Sequence, residues 1–240
     1  MKKEITGFLN MTGIGKKAAS IILAAALSIA SLTGCTSQDK AGAEEAATGF
    51  LAVVASDSTE DINKYATMEV AGGDFVQLFD ADSMTDAFVA GFDQSELTDE
   101  TKAEVNEFCK LFDDMIKDYS VSKVEVGKDG VATAIATIKT KFPVDIIHSE
   151  SASEKISEAT DAYNKNNEEE IAALYEQGEE VAKAKIYDDM IRIILEIYED
   201  EIANSSEETY AIALTLEKNA ETDSWYVTGV KDYDSSTTEN

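Results

Sequence analysis

VSKVEVGKDGVATAIATIKTKF, residues 121–142, is where the apolar pattern changes from a helical period to a period of two. Val121 to Val126 and Val131 to Phe142 read as strands, and Gly127-Lys128-Asp129-Gly130 as the turn of a β-hairpin between them. Ala132, Ala134, Ala136 and Ile138 share one face of the second strand. Side chains that small let a helix come close to a sheet. Pro143, the only proline in the chain, stands just past the strand, where a missing N–H is tolerated.

On both sides of this hairpin the pattern is helical. Upstream, Val105, Phe108, Cys109, Phe112, Met115, Ile116 and Tyr119 fall on one helical stripe. Thr98 is its expected N-cap, with Asp99 and Glu100 in the first turn, where the helix dipole favours acids. Asp74 to Phe92 reads as two short helices with a step, the second starting at Ser83-Met84-Thr85-Asp86 and stopping at Gly91. Gly72-Gly73 breaks the chain before them, and Ile62, Tyr65 and Ala66 mark a short helix to about Met68. Ala43, Ala46, Ala47, Phe50, Leu51 and Val54 line the face of an early helix that ends at Ser56.

Downstream, residues 151–204 are helical with an interruption at Asn164 to Asn167. The second half carries Tyr187, Met190, Ile191, Ile194, Leu195, Tyr198 and Ile202 on one stripe, widened by Ile186, Ile193 and Ile197. This half is expected to cover the sheet, and its extra isoleucines point to burial on more than one side or to a partner. After Asn204-Ser205-Ser206, Tyr210, Ile212, Leu214 and Leu216 alternate as a strand, Asn219 to Asp223 turns, and Trp225 to Tyr233 returns as the last strand. The order predicts an α+β fold: N-terminal helices and an antiparallel four-stranded sheet covered by a long helix, in one domain over residues 43–233 with a polar tail at 234–240.

The start of the chain is of another kind. Lys2, Lys3, Lys16 and Lys17 precede an uncharged run from Ala18 to Leu32, 15 residues where a membrane-spanning helix wants about 20. The run ends in Leu32-Thr33-Gly34-Cys35, which resembles the lipobox of bacterial lipoproteins. The resemblance implies a signal peptide at 1–34, cleavage between Gly34 and Cys35, and a diacylglyceryl cysteine with palmitate-type chains at Cys35. Two acyl chains give stable anchoring where one is marginal. Residues 35–42 then read as a short tether. Met11 as the start in place of Met1 would leave a shorter signal of conventional form.

Residues 1–34 contain four Lys and one Glu, so the net charge of −28 becomes −31 over the remaining 206 residues. That charge argues against nucleic acid and against electrostatic adhesion to an anionic membrane, and leaves the lipid to hold the protein. With Cys35 committed to lipid, Cys109 is the one cysteine left, and no disulfide within the mature chain is expected.

Helices, two strands, a helix and two strands behind a lipobox are similar to small lipoproteins of Gram-positive bacteria with NTF2-like domains. The matching residues are the helix Ala43 to Ser56 ending in Asp57-Ser58-Thr59-Glu60-Asp61, then Tyr65-Ala66, and the strand pair Tyr210 to Leu216 and Trp225-Tyr226-Val227-Thr228-Gly229-Val230. A cystatin-like arrangement has the same element order. The helices inserted between Asp74 and Tyr119 exceed the simplest NTF2-like members. The resemblance implies a fold and a place on the extracytoplasmic face of the cell membrane, and no catalytic residue.

No catalytic set emerges from the residues. Cys109 and His148 are the one available thiol–imidazole pair, but Cys109 lies on the Phe108–Phe112 apolar stripe among acids, whereas a nucleophilic cysteine needs an electropositive, accessible setting. A single histidine rules out a His-rich metal site, no D-x-D-x-D-G run offers a calcium loop, and the acids Glu168 to Glu170 and Glu179-Glu180 read as a solvated helix face. No cofactor is expected. Phe75, Phe79, Phe88, Phe92, Phe108, Phe112, Tyr187, Tyr198, Tyr210, Trp225 and Tyr226 are core, with at most two or three left to line a cavity.

The reading is a non-catalytic, membrane-anchored module that binds an envelope protein, a wall polymer or a small ligand. The alternative is a small hydrolase or isomerase that uses carboxylates in an NTF2-like pocket, marked by an acid whose pKa burial has raised. A transporter's solute-binding component would need two α/β lobes, for which the chain is short.

Overall fold

The computed structural model describes residues 37–56, 61–90 and 97–233. The expected signal segment, the expected lipobox Leu32 to Cys35, the break at Asp57-Ser58-Thr59, Gly91, Phe92 and the tail 234–240 lie outside the described residues. The protein has an α+β fold with N-terminal helices and a four-stranded antiparallel sheet packed against helices. The chain divides into two compact units. A sheet unit comprises 37–80, 112–141 and 207–233, and a helical unit comprises 81–111 and 142–206.

In the sheet unit the first described helix, α1 (Ser37–Val54), is followed by a 3-10 turn at Ile62–Lys64 and the short helices α2 (Met68–Ala71) and α3 (Asp74–Gln77). The break at Gly72-Gly73 falls where glycines are expected to end a helix. The sheet is a meander in the order β1 (Ile116–Val126), β2 (Val131–Thr140), β3 (Glu208–Lys218), β4 (Trp225–Asp232). Gly127 N donates to Val131 O at 2.7 Å, and Gly130 has φ of +79°, the left-handed geometry that this turn gives to a residue without a Cβ. β2 and β3 pair without a slip from Val131–Glu217 to Thr140–Glu208. β1 is bulged at Ser122, between Val121 and Lys123, and again near its start, as an edge strand often is.

The alternation puts Ala132, Ala134, Ala136 and Ile138 of β2 and Ile212, Leu214 and Leu216 of β3 in the core. The helix that comes down on them in this unit is α1, through Ala43, Ala46, Ala47, Phe50, Leu51 and Val54. The early stripe is therefore read correctly, and the alanine face of β2 admits a helix as expected. The helix in question is α1. The 187–202 stripe, expected to cover the sheet, belongs to the helical unit. Two boundaries also differ. α1 is described from Ser37, so residues 37–42 of the expected tether are helical. The 105–119 stripe is helical only to Asp113, and residues from Ile116 are strand. Phe112, Met115 and Ile116 are all buried, and their spacing fits a helix face as well as a helix-to-strand corner.

The helical unit holds α4 (Ala81–Val89), α5 (Asp99–Asp113, to Leu111 in this unit), a 3-10 turn at Ile146–His148, α6 (Glu150–Asn166), α7 (Glu168–Gln177) and α8 (Glu179–Asn204). α4 starts at Ala81, two residues before the expected Ser83. The interruption expected at 164–167 is at Asn167. A second break, at Gly178, carries φ of +145°, a conformation that glycine tolerates and other residues resist. On α8, Ile186 and Met190 cluster with Ile171 and Ala182, and Tyr163, Leu174 and Ile193 pack against them. Ile191, Ile194, Leu195 and Tyr198 are buried as well. Part of the widened apolar stripe, Ile186, Met190 and Ile193, is thus packed within this unit, with Ile171, Leu174 and Tyr163.

Candidate functional site

The densest gathering of polar side chains lies along α8 in the helical unit. Thr98 caps α5 as expected: its Oγ1 accepts from Thr101 N at 3.1 Å. The cap is extended by Asp188. Thr98 Oγ1 lies 2.8 Å from Thr101 Oγ1, and both hydroxyls donate to the Asp188 carboxylate, that of Thr98 at 3.2 Å. Thr101 is 0% exposed, so its hydroxyl must find a partner inside the protein. The carboxylate also stands at the N-terminal end of α5, where the helix dipole favours an anion. One turn along α8, Arg192 Nε donates to Glu104 Oε2 at 2.9 Å and Oε1 at 3.2 Å, and its Nη2 lies 3.7 Å from Glu100. The Glu104 carboxylate holds the guanidinium above its already high titration range.

Asp189, the next residue, turns to α6. It accepts from Tyr163 Oη at 2.9 Å and pairs with Lys185 on its own helix. Partial burial, with the Asp189 bond adding to it, pushes the Tyr163 phenol above the ordinary tyrosine range. Further along, Glu201 takes Ser151 Oγ at 2.9 Å and Lys155 Nζ at 2.7 Å, which together pull its carboxyl down. Tyr198 is 8% exposed, stacks on Phe108 with ring centroids 6.0 Å apart, and donates to Ile147 O at 3.2 Å. Burial pushes its phenol up to about 12. α8 is therefore a hub. Asp188 and Arg192 hold α5, Asp189 and Glu201 hold α6, and each carboxylate in the set already has a hydrogen-bonded or ionic partner. Such an arrangement orients helices. A general acid or base would need a group left open toward a substrate.

The sheet unit has its own ion pairs, at its margins. Glu207 sits between Lys117 and Lys139, whose ammonium groups hold its carboxyl down to about 2. Lys218 Nζ lies 2.8 Å from both Asp39 and Asp223. One buried polar atom stands apart: Thr140 Oγ1, at the end of β2, has no hydrogen-bond partner among the described residues.

Cys109 is fully buried, with the sulfur out of reach of solvent. His148 is exposed at the end of its 3-10 turn, and neighbouring protein atoms lower its titration below the usual histidine value, against the pull of Asp145. The expected aromatic residues with ring contacts fall into two groups. In the sheet unit Phe50 stacks on Phe75, which meets Phe79 edge-on; in the helical unit Phe108 stacks on Tyr198 and meets Phe88 at a tilt. Glu168 to Glu170, Glu179 and Glu180 are exposed. Among the described residues no group of three or more His, Cys, Asp or Glu side chains converges as a metal site would. None of their helices is long and apolar enough to cross a membrane. Cys35, with Leu32, Thr33 and Gly34, lies outside the described residues.

The roles of Asp188 and Asp189 escape a reading by period, which assigns them to a solvated face. The available signal is an acid doublet between Tyr187 and Met190 of an apolar stripe, together with a lone arginine one turn later. Comparison of the chain with models of protein families, with curated proteins and with solved structures returns no match.

Proposed function

We propose that this chain is an exported lipoprotein, cleaved between Gly34 and Cys35, lipidated on Cys35 and held on the extracytoplasmic face of the cell membrane. There it works as a non-catalytic binding or interaction module on an NTF2-like or cystatin-like variant of the α+β fold. The observation that carries the reading is Leu32-Thr33-Gly34-Cys35 at the end of a short uncharged run behind lysines. The paired state of the α8 carboxylates and the burial of Cys109 favour binding over catalysis. The net charge of −31 after residue 34 favours a protein or small-ligand partner over nucleic acid.

The test is the intact mass and location of the protein expressed in a bacterial host that lipidates exported proteins. The wild type is expected in the membrane fraction, beginning at Cys35 and carrying diacylglyceryl mass. Cys35→Ala is expected in the medium or unprocessed. A Cys35→Ala protein that stays on the membrane in mature form refutes the anchor. For the binding role, crosslinking of the anchored protein in membranes and ligand screens by thermal shift are the readouts. The absence of any specific crosslink and of any shift refutes it.

A further inference from the structure

Helix α1 is described from Ser37, two residues after Cys35. Two residues span at most about 7 Å even when fully extended, so the backbone at Cys35 stays that close to the first residue of the helix. The helix has no freedom to swing on the sheet. Its face from Ala43 to Val54 is buried. Near its start Asp39 pairs with Lys218 at 2.8 Å, and Gly42 lies so close to Trp225 that a Cβ there would come within 2.9 Å of indole Cδ1.

Lys218 ends β3 and Trp225 opens β4, so the N-terminus of α1 belongs to the end of the sheet that carries the 219–224 turn. The other hairpin turn, 127–130, is at this end too: Val131 pairs with Glu217, and Lys218 N donates to Gly130 O at 3.4 Å. The opposite end is formed by Ile116, Thr140 and Glu208, which are register partners. The ten residues of β2 separate the two ends by roughly 30 Å at about 3.3 Å per residue. The chain leaves the sheet for residue 142 and returns from residue 206 at that far end.

We propose, resting on the lipid-anchor reading of Cys35, that α1 is a rigid mount. It turns the 127–130 and 219–224 hairpin turns toward the phospholipid headgroups and holds the strand ends at 116, 140 and 208 away from the bilayer. The facing turns carry Lys128, Asp129, Glu221 and Asp223, polar side chains of both signs that suit a headgroup surface and keep out of the hydrocarbon. The approach of this end to lipid is imposed by the covalent junction, since the chain's net charge gives it no electrostatic attraction to an anionic surface.

The experiment uses the lipidated full chain in vesicles of phosphatidylcholine and phosphatidylglycerol with a quencher on the headgroups. Cys109 is buried and Cys35 carries lipid, so a thiol-reactive fluorophore reports on an introduced cysteine. Lys128→Cys and Thr209→Cys are exposed positions at the near and far ends. Quenching is expected to be severalfold stronger at 128 than at 209, and a long Gly-Ser insertion after Thr36 is expected to erase the difference. Equal quenching at the two positions, or stronger quenching at 209, on protein shown by mass to be lipidated overturns the mount and leaves the anchor standing. A difference that survives the insertion also overturns it, because the sheet would then orient by its own surface. A protein without lipid on Cys35 overturns both.

Discussion

In the sheet unit, β2 and β3 run in unbroken register over ten residue pairs, and the ion pairs Lys117–Glu207–Lys139 and Asp39–Lys218–Asp223 stand at its margins. In the helical unit the ionic and hydroxyl contacts run between elements: Asp188 to Thr98 and Thr101, Arg192 to Glu104, Asp189 to Tyr163, Glu201 to Lys155. The difference follows from where backbone polar groups find partners. A strand needs its neighbour's N–H and C=O, so the ladder itself fixes how two strands lie. A helix satisfies its backbone internally, so its position beside another helix is left to side chains. α8 meets α5 and α6 through specific acids because nothing in its backbone would hold it at one angle.

That contrast breaks most sharply at Phe50, fully buried where α1 meets the sheet. Phe50→Ala is expected to cost about 3–5 kcal/mol, read as a lowered denaturation midpoint with early loss of hydrogen-exchange protection in the strand amides. If protection falls first in α5 and α8 instead, the two units do not have separate supports.

Alkali probes the helical unit. The Tyr198 phenol is raised to about 12 in the folded protein against an ordinary value of 10. The raised value means that folding favours the protonated phenol. Its contribution is complete below pH 10 and is lost as pH rises through about 12. Two pKa units correspond to roughly 2–3 kcal/mol, so stability should fall by that order over this window. Tyr198→Phe should flatten the limb; an unchanged alkaline limb in the variant refutes the assignment.

Asp188→Ala removes the acceptor of a buried hydroxyl. The expected cost is about 1 kcal/mol, at the low end for an orphaned buried group, because Thr98 Oγ1 stays within reach of Thr101. Exchange should quicken in α5 and α8 while strand amides keep their protection. Equal loss in both units would erase the comparison.

The smallest effect has the opposite sign. Thr140 Oγ1 is buried without a partner, so Thr140→Val is expected to stabilise the sheet unit by about 1 kcal/mol, seen as a raised melting temperature. A destabilised variant would show that the hydroxyl has a partner after all, a bound water or ligand at that end of the sheet.

The period of the apolar residues gave away much of this architecture. The 43–54 stripe, the 121–142 hairpin with its Gly130 turn, the Thr98 cap and the last two strands all stand close to where spacing puts them, because a residue's alternation between water and core is written into its own polarity. Spacing failed at Met115 and Ile116, where a helix face and a strand start look alike, and at Gly178, where one residue breaks a helical run. Apolar periodicity reports that a face is buried and carries no information on what buries it.

Fold class, burial of the main stripes, the acidity and the Leu32-Thr33-Gly34-Cys35 pattern were determined by the sequence alone, since each depends on local chemistry along the chain. Only the tertiary structure decided that α1 is the helix seated on the sheet, that Asp188 and Asp189 part company toward α5 and α6, and that α1 starts at the hairpin end of the sheet. Those are facts about residues as far apart as Asp39 and Lys218, and the pairing of distant residues is settled by the geometry in which all their contacts fit at once.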